Sequence, residues 1–317
     1  MYFNYFSYIC AIILLCKIKP EFNMKKLIIS TIIIFATAVT GMHTLSAQNN
    51  VPAQKTQKAQ KTQKVQKTNP KHAHKGWRMV WADEFNGDKV DESSWRRCLR
   101  YGSPWNRHMS LLDTLVRVRN GVVELWGVNT PEGYQDSLKF LTGGLESRGK
   151  RYIRNGRIDV RARYDCAQGF WPAIWMMPES EKPWPNAGEI DIMEHLNFDD
   201  YIYQTVHSYH IEGGHQPKTQ HDHKEKVDLT QFNIYSVEVN DSVITYYING
   251  QKTFTYNRLD PEPKDQYPFD DYDYYMILSA QLGGHWIGPI EASQLPVKME
   301  IDYVRFYLPK KDKKSKK

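Results

Sequence analysis

Residues 188–195 read Gly188-Glu189-Ile190-Asp191-Ile192-Met193-Glu194-His195, and the way they lie in a sheet decides both fold and chemistry. In a regular strand Glu189, Asp191 and Met193 would share one face, and Ile190, Ile192 and Glu194 the other. That register sets a methionine among carboxylates and buries a glutamate among isoleucines, where an unpaired charge costs several kcal/mol. One extra residue near Ile192-Met193, a β-bulge, removes both faults. Glu189, Asp191 and Glu194 then line one face, and the apolar residues turn inward.

The chain around this strand reads as β throughout. Short runs rich in Val, Ile, Tyr, Phe and Trp are broken by Gly, Asn, Asp and Pro, as in residues 121–127, 156–164 and 233–248. From Arg157 to Arg163 polar and apolar residues alternate strictly, as in a strand with one wet face. Asn240-Asp241 and Asn249-Gly250 each separate two such runs and predict hairpins, because these residue types tolerate positive φ. No stretch shows sustained helical periodicity. Many closely spaced strands over residues 76–309 predict one large sandwich with ample core.

The two ends differ from this segment. Met24-Lys25-Lys26, an apolar run from Leu27 to about Gly41, and Leu45-Ser46-Ala47 have the order of a secretory signal peptide, residues 24–47. The apolar run is short for a bilayer span, which needs ~20 residues. Residues 1–23 are expected to be an extension from a start assigned too early. Residues 48–75 carry seven Lys and no acid, and residues 310–317 six Lys and one Asp, so both read as solvated, disordered segments. The overall charge of +6 belongs to these flanks and leaves about −9 on residues 76–309, which argues against a nucleic-acid-binding surface. A secreted or periplasmic monomer is expected, with no stable membrane insertion after signal removal. Cys98 and Cys166 are the cysteines outside the first 47 residues, and either a disulfide or two free thiols fits the sequence.

Three acids on one strand face repel one another, so at neutral pH at least one keeps its proton. That is what an acid/base glycosidase requires, one carboxylate to attack and another to donate. Glu189 and Glu194 lie about four strand rises apart, roughly 13 Å at Cα. Long side chains leaning together on a curved strand could reach the ~5–5.5 Å carboxyl separation of a retaining mechanism. A solvated acidic face does not explain acids interrupting apolar residues, whereas a calcium site also takes carboxylates at alternating positions. Trp171, Trp175 and Trp184 lie just upstream, with Trp105 and Trp286 in Gly- and Pro-containing loops. Flat indoles pack on the apolar faces of pyranose rings, although each is equally suited to a core.

Residues 189–194 resemble the signature of glycoside hydrolase family 16 in its bulged, laminarinase-like form. The likeness continues in Trp81-Ala82-Asp83-Glu84-Phe85-Asn86, Gly156 to Ala162, Gly169 to Trp175, Thr205-Val206-His207 and Ile301-Asp302-Tyr303-Val304-Arg305. The resemblance implies a β-jelly-roll of two curved antiparallel sheets with an open substrate cleft on the concave face. It also implies endo-acting hydrolysis of a polysaccharide or glycan with retention of configuration. Glu189 would be the nucleophile, Glu194 the general acid/base, and Asp191 the residue that bonds the nucleophile and tunes the pair. Trp171 and Trp175 match tryptophans near the cleaved sugar, and His207 a histidine beside the acid/base. Asp302 matches a position that helps hold a structural calcium on the convex side; catalysis itself needs no cofactor.

The sequence departs from common β-1,3-glucanases at Trp105-Asn106-Arg107-His108-Met109-Ser110, where an Asn-Glu followed by aromatics is usual. The run from Leu196 to Asp200, with Tyr203-Gln204 after it, resembles a branch found in gut Bacteroidota. A β-1,3- or mixed β-1,3/1,4-glucan is therefore the leading substrate, and the alternative is internal β-galactosidic bonds of lactosamine-containing O-glycans or galactans. Asn106, Arg107 and His108 are candidate subsite residues in either case. A lectin-like binding module on the same sandwich is a third reading, opposed by the intact carboxylates.

Overall fold

A computed structural model describes residues 74–213 and 220–310. The expected extension (1–23), signal peptide (24–47), residues 48–73 of the linker and residues 311–317 of the tail lie outside the described residues. The strands are β1 (Trp77–Asp83), β2 (Arg96–Arg97), β3 (Val116–Arg119), β4 (Val122–Asn129), β5 (Phe140–Thr142) and β6 (Gly144–Glu146). They continue with β7 (Arg157–Tyr164), β8 (Phe170–Pro178), β9 (Glu189–Glu194), β10 (Tyr201–His207) and β11 (Asp222–Lys226). After these come β12 (Asn233–Val239), β13 (Val243–Ile248), β14 (Gln251–Asn257), β15 (Tyr274–Leu282) and β16 (Val297–Pro309). The one α-helix among the described residues, α1, is the single turn Tyr209–Glu212.

These strands form two antiparallel sheets, as expected of a jelly-roll. One runs β14-β13-β12-β7-β16-β4-β3, with β1 added on β16 and β5 on β4. The other runs β11-β10-β9-β8-β15-β6-β2 and carries the candidate carboxylates on β9. Between them lies a core that includes Val160, Ile174, Met176, Ile190, Ile192, Met193, Val237 and Val304, all buried. A second apolar cluster lies apart from this core and contains Cys98, Met109, Ala173, Trp175, Tyr275 and Ile277, with Trp105 against it.

Local chemistry explains the joins. Asn249 (φ 51°) and Gly250 (φ 83°) make the two-residue hairpin between β13 and β14, in the left-handed region that such turns require. Between β12 and β13, Asn240 Oδ1 accepts from the backbone N–H groups of Ser242 and Val243, closing the turn with its own side chain.

The alternating strand β7 differs from a simple wet face. Arg157 and Asp159 are buried, and Arg157 contacts both Asp159 (2.8 Å) and Glu238 (2.7 Å). Arg163 pairs with Glu300 at 2.6 Å across the β7–β16 ladder, and Arg157 lies over the ring of Tyr247. Long guanidinium side chains lying on aromatic faces shield their partners, which converts the polar face into an ion-pair ladder. His74 joins it through Asp159, Nε2 to Oδ2 at 2.6 Å, so the described fold reaches two residues upstream of Gly76. Cys98 and Cys166 are both free thiols.

Candidate active site

The ladders on both sides of β9 show the bulge directly. Thr205 faces Asp191 and Tyr203 faces Glu194, so Ile192 and Met193 together oppose the single residue Gln204. On the other side Trp175 pairs with Asp191 and Ile174 with Met193, again with a break in register. The extra residue sends Ile190, Ile192 and Met193 into the core, fully buried, and returns Glu194 to the face of Glu189 and Asp191.

Because directly paired residues share a face, the registers map that surface across the sheet. One row runs Ser279, Ala173, Glu194, Tyr203, Lys224; the next runs Ile277, Trp175, Asp191, Thr205, Asp222; and Glu189 sits beside His207. Trp171 is two residues before Ala173 on β8 and therefore on the same face.

Each glutamate receives an indole N–H. Trp171 Nε1 donates to Glu194 Oε1 at 2.9 Å, and Trp184 Nε1 donates to Glu189 Oε2 at 2.6 Å. His207 lies between carboxylates, its Nε2 3.2 Å from Asp191 Oδ2 and its Nδ1 2.7 Å from Glu212 Oε1. The Trp184 ring packs on the His207 ring with centroids 5.7 Å apart. Glu194 and Asp191 are buried and Glu189 is half-buried.

Burial is the first cause that holds the Glu194 carboxyl well above the usual range, and the Asp191 charge adds to it against the Trp171 N–H. Glu189 is raised by the same two causes, offset by the charge of His207 and the N–H of Trp184. Burial works against a charge on His207, but the nearby Asp191 carboxylate and the hydrogen bond to Glu212 prevail and push it up to about 11. Both neighbouring carboxylates thus favour the charged form of the ring.

One donor atom each from Glu189, Asp191 and His207 lies within 4.8 Å of the others. Asp302 on β16, the residue expected at a structural calcium, has its Oδ2 2.6 Å from Arg161 Nη1.

The tryptophans divide into two groups. Trp171 stands edge-on to Trp286, with centroids 5.4 Å apart, and Trp286 stands edge-on to Tyr203 at 5.1 Å. Trp286 and Trp184 are about half exposed, as sugar-stacking rings must be. Trp175 instead is buried, donates Nε1–H to Ser279 Oγ at 3.1 Å, and is capped edge-on by Trp105 at 4.9 Å.

In the loop ahead of β3, Asn106 is buried, His108 Nδ1 is 3.1 Å from the Phe140 carbonyl oxygen, and Arg107 is exposed. His108 is tied into the loop, which leaves Arg107 as the residue free to meet a ligand.

Sequence reasoning missed Tyr201, Tyr203, Lys224 and Glu212. The two tyrosines were marked by the period of two in β10, where Tyr201, Tyr203, Thr205 and His207 alternate with buried Ile202, Gln204 and Val206. Lys224 lies over both tyrosine rings, at 4.8 and 4.9 Å, through a cross-strand pairing that no local pattern announces.

The model of the family "Glycosyl hydrolases family 16" matches residues 113–305. A keratan-sulfate endo-1,4-beta-galactosidase from Sphingobacterium multivorum is 32% identical over 74% of this chain, a match spanning 56% of that protein. A beta-glucanase from Rhodothermus marinus is 30% identical over 73% of this chain and 85% of its own length. Among solved structures, one from work on endo-acting O-glycanases with which human gut microbiota initiate mucin breakdown superposes with a TM-score of 0.65 and 29% identity, covering 74% of this chain and 100% of that one. With the bulged carboxylate strand in place on two antiparallel sheets, the chain belongs to glycosyl hydrolase family 16.

Proposed function

We propose that this protein hydrolyses internal bonds of a β-linked glycan by double displacement with retention. One observation carries the reading: the bulge on β9 sets Glu189 and Glu194 on one face, each with an indole N–H on one oxygen. Glu189, as carboxylate, attacks the anomeric carbon while Glu194 passes its proton to the departing glycosidic oxygen. The resulting glycosyl ester on Glu189 is opened by water, whose proton returns to Glu194. Asp191 sits between them and keeps the proton on the acid by charge repulsion, and His207 limits that repulsion at the nucleophile. Trp171, Trp286 and Tyr203 supply stacking surface on the Glu194 side.

The leading substrate is a β-1,3- or mixed β-1,3/1,4-glucan, supported by the likeness to the Rhodothermus marinus enzyme. The departure at residues 105–110 supports a second reading, cleavage of internal β-galactosidic bonds, in line with the keratan-sulfate and O-glycan relatives. A module that only binds would gain nothing from a proton-bearing Glu194. Among the described residues no helix is long and apolar enough to cross a membrane. The signal-like segment 24–47 supports export, and we read the protein as a secreted or periplasmic monomer without a nucleic-acid partner.

A product profile on laminarin, barley β-glucan, agarose, xyloglucan and mucin O-glycans tests this. Laddered glucose oligosaccharides are expected. Products ending in galactose from mucin alone would move the assignment to the second reading, and binding without cleavage of any glycan would overturn hydrolysis.

A further inference from the structure

We propose that Glu212 is a positioning residue of this active site, holding the His207 ring in place against Asp191. The inference rests on the carboxylate site described above, not on which glycan it cleaves. Glu212 comes from α1, five residues after His207, and reaches back to Nδ1 at 2.7 Å while Nε2 is 3.2 Å from Asp191. The turn that returns it is closely specified. Glu212 N donates to Ser208 O at 3.0 Å and Gly213 N to Tyr209 O at 2.8 Å. A Cβ on Gly213 would lie 2.6 Å from that same Tyr209 oxygen, so a side chain there would open the turn.

The arrangement answers a charge problem on β9. Glu189, Asp191 and Glu194 crowd one strand face, and the His207 ring lies within reach of their charges. An imidazole with only Asp191 as acceptor could hold its proton on Nε2 and leave Nδ1 bare, or turn over about its ring bond. A second carboxylate on Nδ1 fixes both protons and the ring plane at once. Among the described residues, the groups facing His207 include Asp191 and Glu189 from β9, Glu212 from α1, and the Trp184 ring from the segment before β9. His221, just before β11, adds a further charge effect on Glu212. Glu212 is itself partly exposed, and an exposed pair contributes little to global stability. Its placement therefore matters through the ring it holds.

The test compares the full-length protein with Glu212→Gln and Glu212→Ala. Ring nitrogen NMR of His207, assigned with His207→Gln, reads the charge without any substrate. Both nitrogens should stay protonated to at least pH 9 in the wild type, and the titration should move down by one pH unit or more in both variants. On the best glycan, kcat should fall about tenfold with KM changed less than twofold. An unchanged His207 titration in correctly folded Glu212→Gln would overturn the proposal, as would an altered titration with unchanged kcat. If no glycan is cleaved even by the wild type, the NMR result still decides the His207–Glu212 relationship, and the hydrolase reading fails separately.

Discussion

The indole N–H of Trp184 donates to Glu189 Oε2 at 2.6 Å, from a ring that is about half exposed. A hydrogen bond to the carboxylate favours its charged form, and so counteracts the burial that would keep Glu189 protonated. In the proposed mechanism Glu189 must be ionised to attack; burial and Asp191 push its carboxyl up to about 8, and this bond limits that rise and so bears on the lower end of the working pH range.

Trp184→Phe should therefore lower kcat/KM by ~10-fold or more, given ~1.5–3 kcal/mol for a hydrogen bond to a charged group. The sign of the pH effect follows from the same bond. Without the donor Glu189 ionises at higher pH, and the acidic limb of the kcat/KM profile moves up. A variant whose acidic limb stays in place would remove Glu189 from the nucleophile's role.

Trp171→Phe makes the complementary case. The Trp171 N–H also favours a carboxylate, here that of Glu194, whose task requires the proton. Its removal raises Glu194 further, so the alkaline limb should move to higher pH while the acidic limb stays. The pH–rate profile of the variant reads both limbs at once. A shift of the acidic limb instead would exchange the roles of the two glutamates.

Glu194→Gln should stabilise the fold while abolishing turnover. The native Glu194 carboxyl is raised, so the native state binds its proton more tightly than the unfolded chain does. Stability from this group is full below the unfolded value near 4.5 and falls as pH rises toward the native value. Glutamine carries no such dependence. Melting curves should show the variant ~2–6 °C above the wild type at pH 8, at ~2–4 °C per kcal/mol for a domain this size, with a smaller gap at pH 5. An equal or lower melting temperature at pH 8 would mean that Glu194 is not held protonated by burial.

Much of this site could be read from residue types alone. The bulge follows from Met193 and Glu194 standing on the wrong faces of a regular strand, since only one insertion repairs both. The hairpin at Asn249-Gly250 was equally local. What escaped depends on partners distant in sequence. The ion pair of Asp302 was not legible because nothing nearby in the chain reveals Arg161, which is brought to 2.6 Å by the β7–β16 pairing. Arg157 and Asp159 read as a wet face because the charges that cover them, His74 and Glu238, come from other parts of the chain. Trp175 and Trp171 have the same sequence signal, yet Trp105 caps Trp175 while Trp171 stands against Trp286.

The central claim is that Glu189 attacks and Glu194 donates. It is tested most directly by chemical rescue of Glu189→Ala on an activated aryl glycoside of whichever glycan the wild type cleaves. The variant should be inactive alone, and added azide should restore turnover with release of a glycosyl azide of inverted configuration. Rescue of Glu194→Ala to that inverted azide, with Glu189→Ala left inert, would contradict the account.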